Sequence, residues 1–130
     1  MIILDTSILI DYIRQPNSKR NTLFDKITRT EGSFSLGIST VTIQELYQGK
    51  STRIKAKEEE MLDVLGLLRI YVFDEGVATI AGKIIRDWKP NLGFADAAIA
   101  ATAINEECRL FTLNYRDFSN IPDLSLYFLR

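Results

Sequence analysis

The sequence predicts one α/β domain built on a central parallel sheet of about five strands with helices on both faces. Three observations predict it. Short apolar runs alternate with segments of helical periodicity over residues 1–130, and no linker or internal repeat divides them. The apolar runs are continuous rather than alternating, as in strands buried on both faces. A composition of 46% hydrophobic and 25% charged residues is that of a packed core, too apolar for disorder.

Each element has its own warrant. Ile2, Ile3 and Leu4 form the first strand, closed by Asp5. Residues 7–15 carry Ile8, Leu9, Tyr12 and Ile13 at helical spacing, and Pro16 ends that helix. Residues 21–30, with Leu23, Phe24 and Ile27, form a second helix. Residues 34–39 are the second strand, and residues 42–49 a helix stopped by Gly49. Residues 54–68 form a longer helix whose apolar positions gather late, at Met61, Leu62, Val64, Leu65 and Leu68. Residues 70–73 are the third strand. Val77, Ile80, Ala81, Ile84 and Ile85 make residues 75–88 helical, and Pro90 and Gly93 mark residues 89–93 as a loop. An alanine-rich helix over 95–107 leads to a fourth strand at 109–112, and 124–128 is the fifth. In such sheets ligands sit beyond the carboxyl ends of the strands.

Composition narrows the chemistry. There is no histidine, which excludes Ser-His-Asp and Cys-His catalysis and HExxH zinc sites. Cys108 is the sole cysteine, so there is no internal disulfide and no cysteine-rich zinc site. Catalysis is left to carboxylates, hydroxyls, Lys or Arg, with a hard metal ion that prefers oxygen ligands. The net charge of −1 argues against a broad electrostatic grip on nucleic acid. It is compatible with a small site where a metal supplies the positive charge. No apolar run approaches the ~18 residues of a membrane span. The start, which meets Asp5 without a basic region, does not read as a signal peptide. The expected location is cytoplasmic, with no membrane association.

Acids recur where strands end or helices begin. Asp5 follows the first strand, and either marks the functional edge or caps the next helix in Asp5-Thr6-Ser7. Glu45 closes Thr42-Ile43-Gln44-Glu45, which fits a capping box. Asp96 opens the alanine-rich helix among apolar neighbours, where a carboxylate is costly to bury. Asn114 and Asp117 follow the fourth strand in a polar turn that leads into a single helical turn. In a parallel sheet these positions converge on one edge. Crowded carboxylates repel one another, and a divalent cation such as Mg²⁺ or Mn²⁺ relieves them. Such a site supports hydrolytic phosphoryl transfer.

At these residues the sequence resembles the PIN-domain ribonucleases, most closely the small VapC-type toxins of toxin–antitoxin pairs. The resemblance rests on Ile2-Ile3-Leu4-Asp5-Thr6-Ser7, on Ile38 through Leu46 around Glu45, on Phe94 through Ala103 around Asp96, and on Thr112-Leu113-Asn114 with Asp117-Phe118. It implies a PIN-like three-layer fold as a single domain, a Mg²⁺- or Mn²⁺-dependent endoribonuclease, a homodimer, and a cognate small antitoxin that blocks the acidic pocket. Asp5, Glu45 and Asp96 become the core acids, with Asp5 and Asp96 as principal metal ligands. Glu45 would hold the attacking water or act as its base, and Thr6 would orient Asp5 or water. Attack on phosphorus would expel the 3′-oxygen and leave a 5′-phosphate. Many relatives carry Asp where Asn114 stands; here Asp117 is expected to supply the fourth carboxylate, and Asn114 to hold substrate or water.

Arg116 is the expected phosphate contact, and Tyr115 either stacks on a base or packs. Arg14, Lys19 and Arg20 flank the first helix. Lys50, Arg53, Lys55 and Lys57 precede Glu58, Glu59 and Glu60, a pattern expected of a solvated helix face with i,i+3 and i,i+4 pairs. Trp88, Phe94 and Tyr47 either anchor a partner or join the core. Two rivals stand beside the ribonuclease. One is a receiver-like phosphoryl-transfer domain using Asp74, which lacks the expected Lys after the fourth strand. The other is a catalytically weak or inactive PIN-like RNA- or protein-binding module.

Overall fold

An apolar run settles as a strand where both of its faces can be covered. In a computed structural model, which describes residues 1–15 and 21–129, five such runs form one parallel sheet in the order β3-β2-β1-β4-β5. The strands are β1 (Ile2–Leu4), β2 (Leu36–Ser39), β3 (Arg69–Tyr71), β4 (Arg109–Phe111) and β5 (Ser125–Leu126). Leu4 pairs with Phe111, so the residues just beyond them, Asp5 and Thr112, leave the same sheet edge together. Pro16, Lys19 and Arg20 lie outside the described residues.

Helices cover both faces: α1 (Thr6–Arg14), α2 (Leu23–Glu31), α3 (Thr40–Gln48), α4 (Lys55–Leu65), α5 (Glu75–Asp87), α6 (Phe94–Asn105) and the single turn α7 (Tyr115–Phe118). Strand alternation divides the core in two. Ile2 and Leu4 face one cluster, with Ile8, Leu9, Ile27, Leu46 and Met61. Ile3 faces the other, with Val77, Ile84, Ile99, Leu110 and Phe118. These are the three layers that the resemblance implies. The alanines of α6, from Ala97 to Ala103, are fully buried. Their small side chains admit α5 on one flank and the sheet on another.

Several boundaries differ from expectation. The strand expected over 34–39 begins at Leu36, because Ser33–Ser35 form a 3-10 turn and leave Phe34 94% exposed. The helix expected over 42–49 begins two residues earlier. Ser39 is its cap and accepts a hydrogen bond from Val41 N at 3.1 Å. Thr42 therefore lies inside α3, and the capping box to Glu45 does not form. The third strand ends at Tyr71 and the fifth spans two residues. The expected helix over 54–68 stops at Leu65. A further 3-10 segment, Lys50–Arg53, joins α3 to α4. Within the charged run, Lys57 pairs with Glu60 at 3.3 Å, the expected i,i+3 contact. The Lys57 ammonium also donates to Ile13 O at 2.8 Å, which ties α4 to the end of α1. Among the described residues no helix is long and apolar enough to cross a membrane.

Candidate active site

Asp5 is positioned by the strand that carries it. Its backbone N–H donates to Phe111 O at 2.9 Å, which continues the β1–β4 pairing past its last rung. The side chain is 3% exposed. Asp5 occupies the N-cap position of α1, yet its carboxylate makes no capping bond. Instead Oδ2 accepts from Ser7 Oγ at 2.8 Å and from Thr112 Oγ1 at 2.7 Å. Those two hydroxyls accept in turn from the loop after β4, from Leu113 N at 3.2 Å and Asn114 N at 2.9 Å. No hydrogen bond reaches Oδ1 among the described residues. A buried carboxylate oxygen without a donor is unfavourable in the bare protein, and a cation would satisfy it.

Glu45 is held by a second hydroxyl chain. Thr6 Oγ1 donates to Glu45 Oε1 at 2.6 Å and lies 2.9 Å from Thr42 Oγ1. Each hydroxyl has one proton. With the Thr6 proton directed to the carboxylate, Thr42 donates to Thr6. Thr6 and Thr42 are both buried, so the chain anchors the Glu45 carboxylate from inside the protein. Thr6 thus orients Glu45, whereas the expected role beside Asp5 falls to Ser7 and Thr112.

Asp96 sits half-buried in the first turn of α6, with no side-chain hydrogen bond among the described residues. Burial, and then the negative charges of Asp5, Glu45 and Asp117, push its carboxyl up to about 6. The other three expected acids are therefore all close enough for their charge to bear on Asp96. Asp117 is exposed in the first turn of α7, and Asn114 precedes that turn as its N-cap. A cavity of about 350 Å³ joins Asp96, Arg116 and Asp117 to Trp88 and the loop that follows it. A neighbouring hollow of about 400 Å³ shares Arg116 and Asp117 and adds Asn114 and Tyr115.

The donors are all oxygens, as Mg²⁺ or Mn²⁺ prefers. Among the described residues no three acids are already gathered as a closed metal cage. Mg²⁺ binds through one or two carboxylates and keeps its waters. Asp5 with its open Oδ1, and Asp96 with its raised affinity for protons, fit that demand.

The residues not expected from sequence are Ser7 and Thr112. The signal was present: a hydroxyl directly after β4, opposite an acid directly after its neighbour β1. Asp74 is not part of the site. Its carboxylate caps α5, accepting from Val77 N at 3.0 Å. Trp88, Phe94 and Tyr47 are exposed rather than core. Tyr115 is half exposed and packs edge-on against Phe128 at 6.3 Å.

The chain is similar to several solved structures. It is 25% identical to a toxin–antitoxin complex from Klebsiella pneumoniae, over 95% of each chain, with a TM-score of 0.71. It is 27% identical to FitAcB from Neisseria gonorrhoeae, over 98% of this chain and 97% of that one, with a TM-score of 0.72. VapBC2 from Rickettsia felis, bound to a DNA fragment from its promoter, shares the fold at a TM-score of 0.78 with 24% identity over 98% of both chains. No curated protein matches the sequence. The PIN domain family model matches residues 2–124, a span that takes in every acid of the sheet edge, and the chain belongs to the PIN-domain family.

Proposed function

We propose that this protein is a divalent-metal-dependent endoribonuclease, the toxin of a type II toxin–antitoxin pair, which hydrolyses RNA phosphodiester bonds. The observation that carries the reading is Asp5: a buried carboxylate with one oxygen tied by two hydroxyls and the other open, on an edge where it, Glu45 and Asp117 all bear on Asp96. Mg²⁺ or Mn²⁺ held by Asp5 and Asp96, with Asp117 outside them, would supply Lewis-acid activation of water and charge neutralisation at phosphorus. Glu45, aimed by Thr6 and Thr42, takes the proton of the attacking water. Arg116 binds the phosphate, and Asn114 holds substrate or water beside it. Similarity to the toxin–antitoxin complex from Klebsiella pneumoniae supports a small protein antitoxin as partner. A homodimer and a cytoplasmic location complete the proposal.

The test is cleavage of a labelled single-stranded RNA panel by wild type and Asp96→Asn, with Mn²⁺, with Mg²⁺ and with EDTA. Metal-dependent cleavage by wild type alone is the expected result. A binding-only PIN module is favoured by two observations: an exposed Asn stands at 114, and among the described residues no three acids are gathered into a cage. Its signature would be RNA or protein binding with neither cleavage nor Mn²⁺ affinity.

A further inference from the structure

Trp88 is the chain's single tryptophan and the C-cap of α5. An indole is usually well covered, yet this one is 58% exposed. It lines the cavity of about 350 Å³ that also holds Lys89, Asp96, Arg116 and Asp117. Neither Lys89 nor Arg116 ion-pairs with an acid among the described residues. One hollow therefore combines two of the four acids, two unpaired cations and a broad aromatic face. Phe94, also exposed, is engaged with Phe73 at 5.6 Å and does not line the hollow.

These components match the parts of an unpaired nucleotide. A base offers a π face to an aromatic ring, and its flanking phosphates suit an ammonium and a guanidinium. A base inside a duplex has no face to offer. Resting on the ribonuclease reading above, we infer that Trp88 stacks on a nucleobase next to the phosphate being cut, while Lys89 and Arg116 hold the flanking phosphates. The α5–α6 loop thus selects single-stranded RNA with a base splayed out of its stack. Tyr115 borders the adjoining hollow across Arg116 and Asp117 and is a second stop on the same strand.

Because Trp88 is the only indole, its emission reports on this hollow alone. Titration is done with Glu45→Gln, which keeps Asp5 and Asp96 but lacks the base, so that RNA stays intact. The probes are an unstructured single-stranded RNA, an abasic chain of equal length, and a duplex. Single-stranded RNA is expected to quench the emission, and the abasic chain and duplex to leave it nearly unchanged. In the otherwise wild-type protein, Trp88→Ala is expected to raise KM for single-stranded RNA about 5- to 150-fold with a much smaller change in kcat, and Trp88→Phe to restore most of the loss. Thermal melts of both variants check that the exposed site tolerates them.

Quenching by the abasic chain as strong as by RNA, or an unchanged KM in Trp88→Ala while wild type cuts RNA, overturns the stacking role and leaves the ribonuclease standing. Unaltered emission at saturating RNA does the same. If wild type neither binds nor cuts RNA, the ribonuclease reading itself falls, and the stacking role with it.

Discussion

The two halves of the acidic edge are built differently. Asp5 and Glu45, next to α1, are tied down: hydroxyls from Ser7, Thr112 and Thr6 hold them at 2.6–2.8 Å. Asp96 and Asp117, on α6 and α7, have no side-chain hydrogen bond among the described residues and face an open cavity. The tied half stores geometry. Its carboxylates need no rearrangement to receive an ion or a water, the economy that preorganisation provides. The open half stores charge. Asp96 is held above its ordinary range by burial first and then by the negative charges of Asp5, Glu45 and Asp117. The difference is one of order: the protein's own hydroxyls fix one half, apart from the open Oδ1 of Asp5, and no side-chain hydrogen bond among the described residues fixes the other.

The largest expected effect falls on the tied half. Asp5→Asn keeps an acceptor for Ser7 and Thr112 but turns the open oxygen into a donor. RNA cleavage should fall by roughly 10³-fold or more, measured as initial rates with Mn²⁺ on labelled RNA, with the thermal midpoint little changed. A folded variant that still cuts at a tenth of the wild-type rate would break the idea that Asp5 anchors the ion.

Asp96→Asn should match that loss of cleavage and differ in stability. In the folded protein Asp96 holds its proton up to about 6, against an unfolded value near 4. Between those values the native state binds more protons than the unfolded chain. This residue's contribution therefore lowers stability as pH rises through the window, and the cost persists above it. Asp96→Asn removes the cost, so the apo variant should gain roughly 1–3 kcal/mol at pH 7.5 and almost nothing at pH 3.5. Urea unfolding of both proteins in EDTA at the two pH values checks this. Equal stability at pH 7.5 would mean that the open half is not strained.

Thr112→Val tests the wiring. It removes the hydroxyl that links Asp5 to Asn114 N and should cost about 1–2 kcal/mol. Cleavage should fall about tenfold, because Asp5 loses one of two holds while keeping its charge. Wild-type stability and rate in this variant would show that Ser7 alone suffices.

The smallest effect belongs to Asp117→Asn. This acid is exposed and solvent-screened, so Mn²⁺ affinity should weaken only about three- to tenfold, read by calorimetric titration with cleavage in parallel. Unchanged affinity and rate would remove Asp117 from the site.

Much of this edge could be read from sequence, for a physical reason. Buried parallel strands are continuous apolar runs, and an acid directly after one is visible without knowing its neighbours. Asp5 was therefore legible as a position, and Asp96 was legible as a lone carboxylate among the apolar residues that open an alanine-rich helix. Glu45 was obscured because Thr42-Ile43-Gln44-Glu45 satisfies a local rule, and only the earlier start of α3 at Thr40 decides against the cap. The hydroxyl wiring was not legible. Thr112 meets Asp5 through the β1–β4 register, a pairing that no local window contains. Trp88 was visible as an aromatic, but its place beside Asp96 depends on the packing of α5 against α6. The short β5 and the turn over Ser33–Ser35 show the opposite limit, where apolar residues such as Phe34 and Phe128 remain exposed and add nothing to the sheet.

The bond between Thr112 and Asp5 spans 107 positions, and that span has a meaning in time. A ribosome delivers Asp5 long before Thr112, and β1 waits for β4 to complete its central place in the sheet. A nascent chain that has released Glu45 and even Asp96 still holds Asp5 by Ser7 alone. The hydroxyl wiring of the acidic edge is thus completed last, when the loop after β4 brings Thr112 to Asp5.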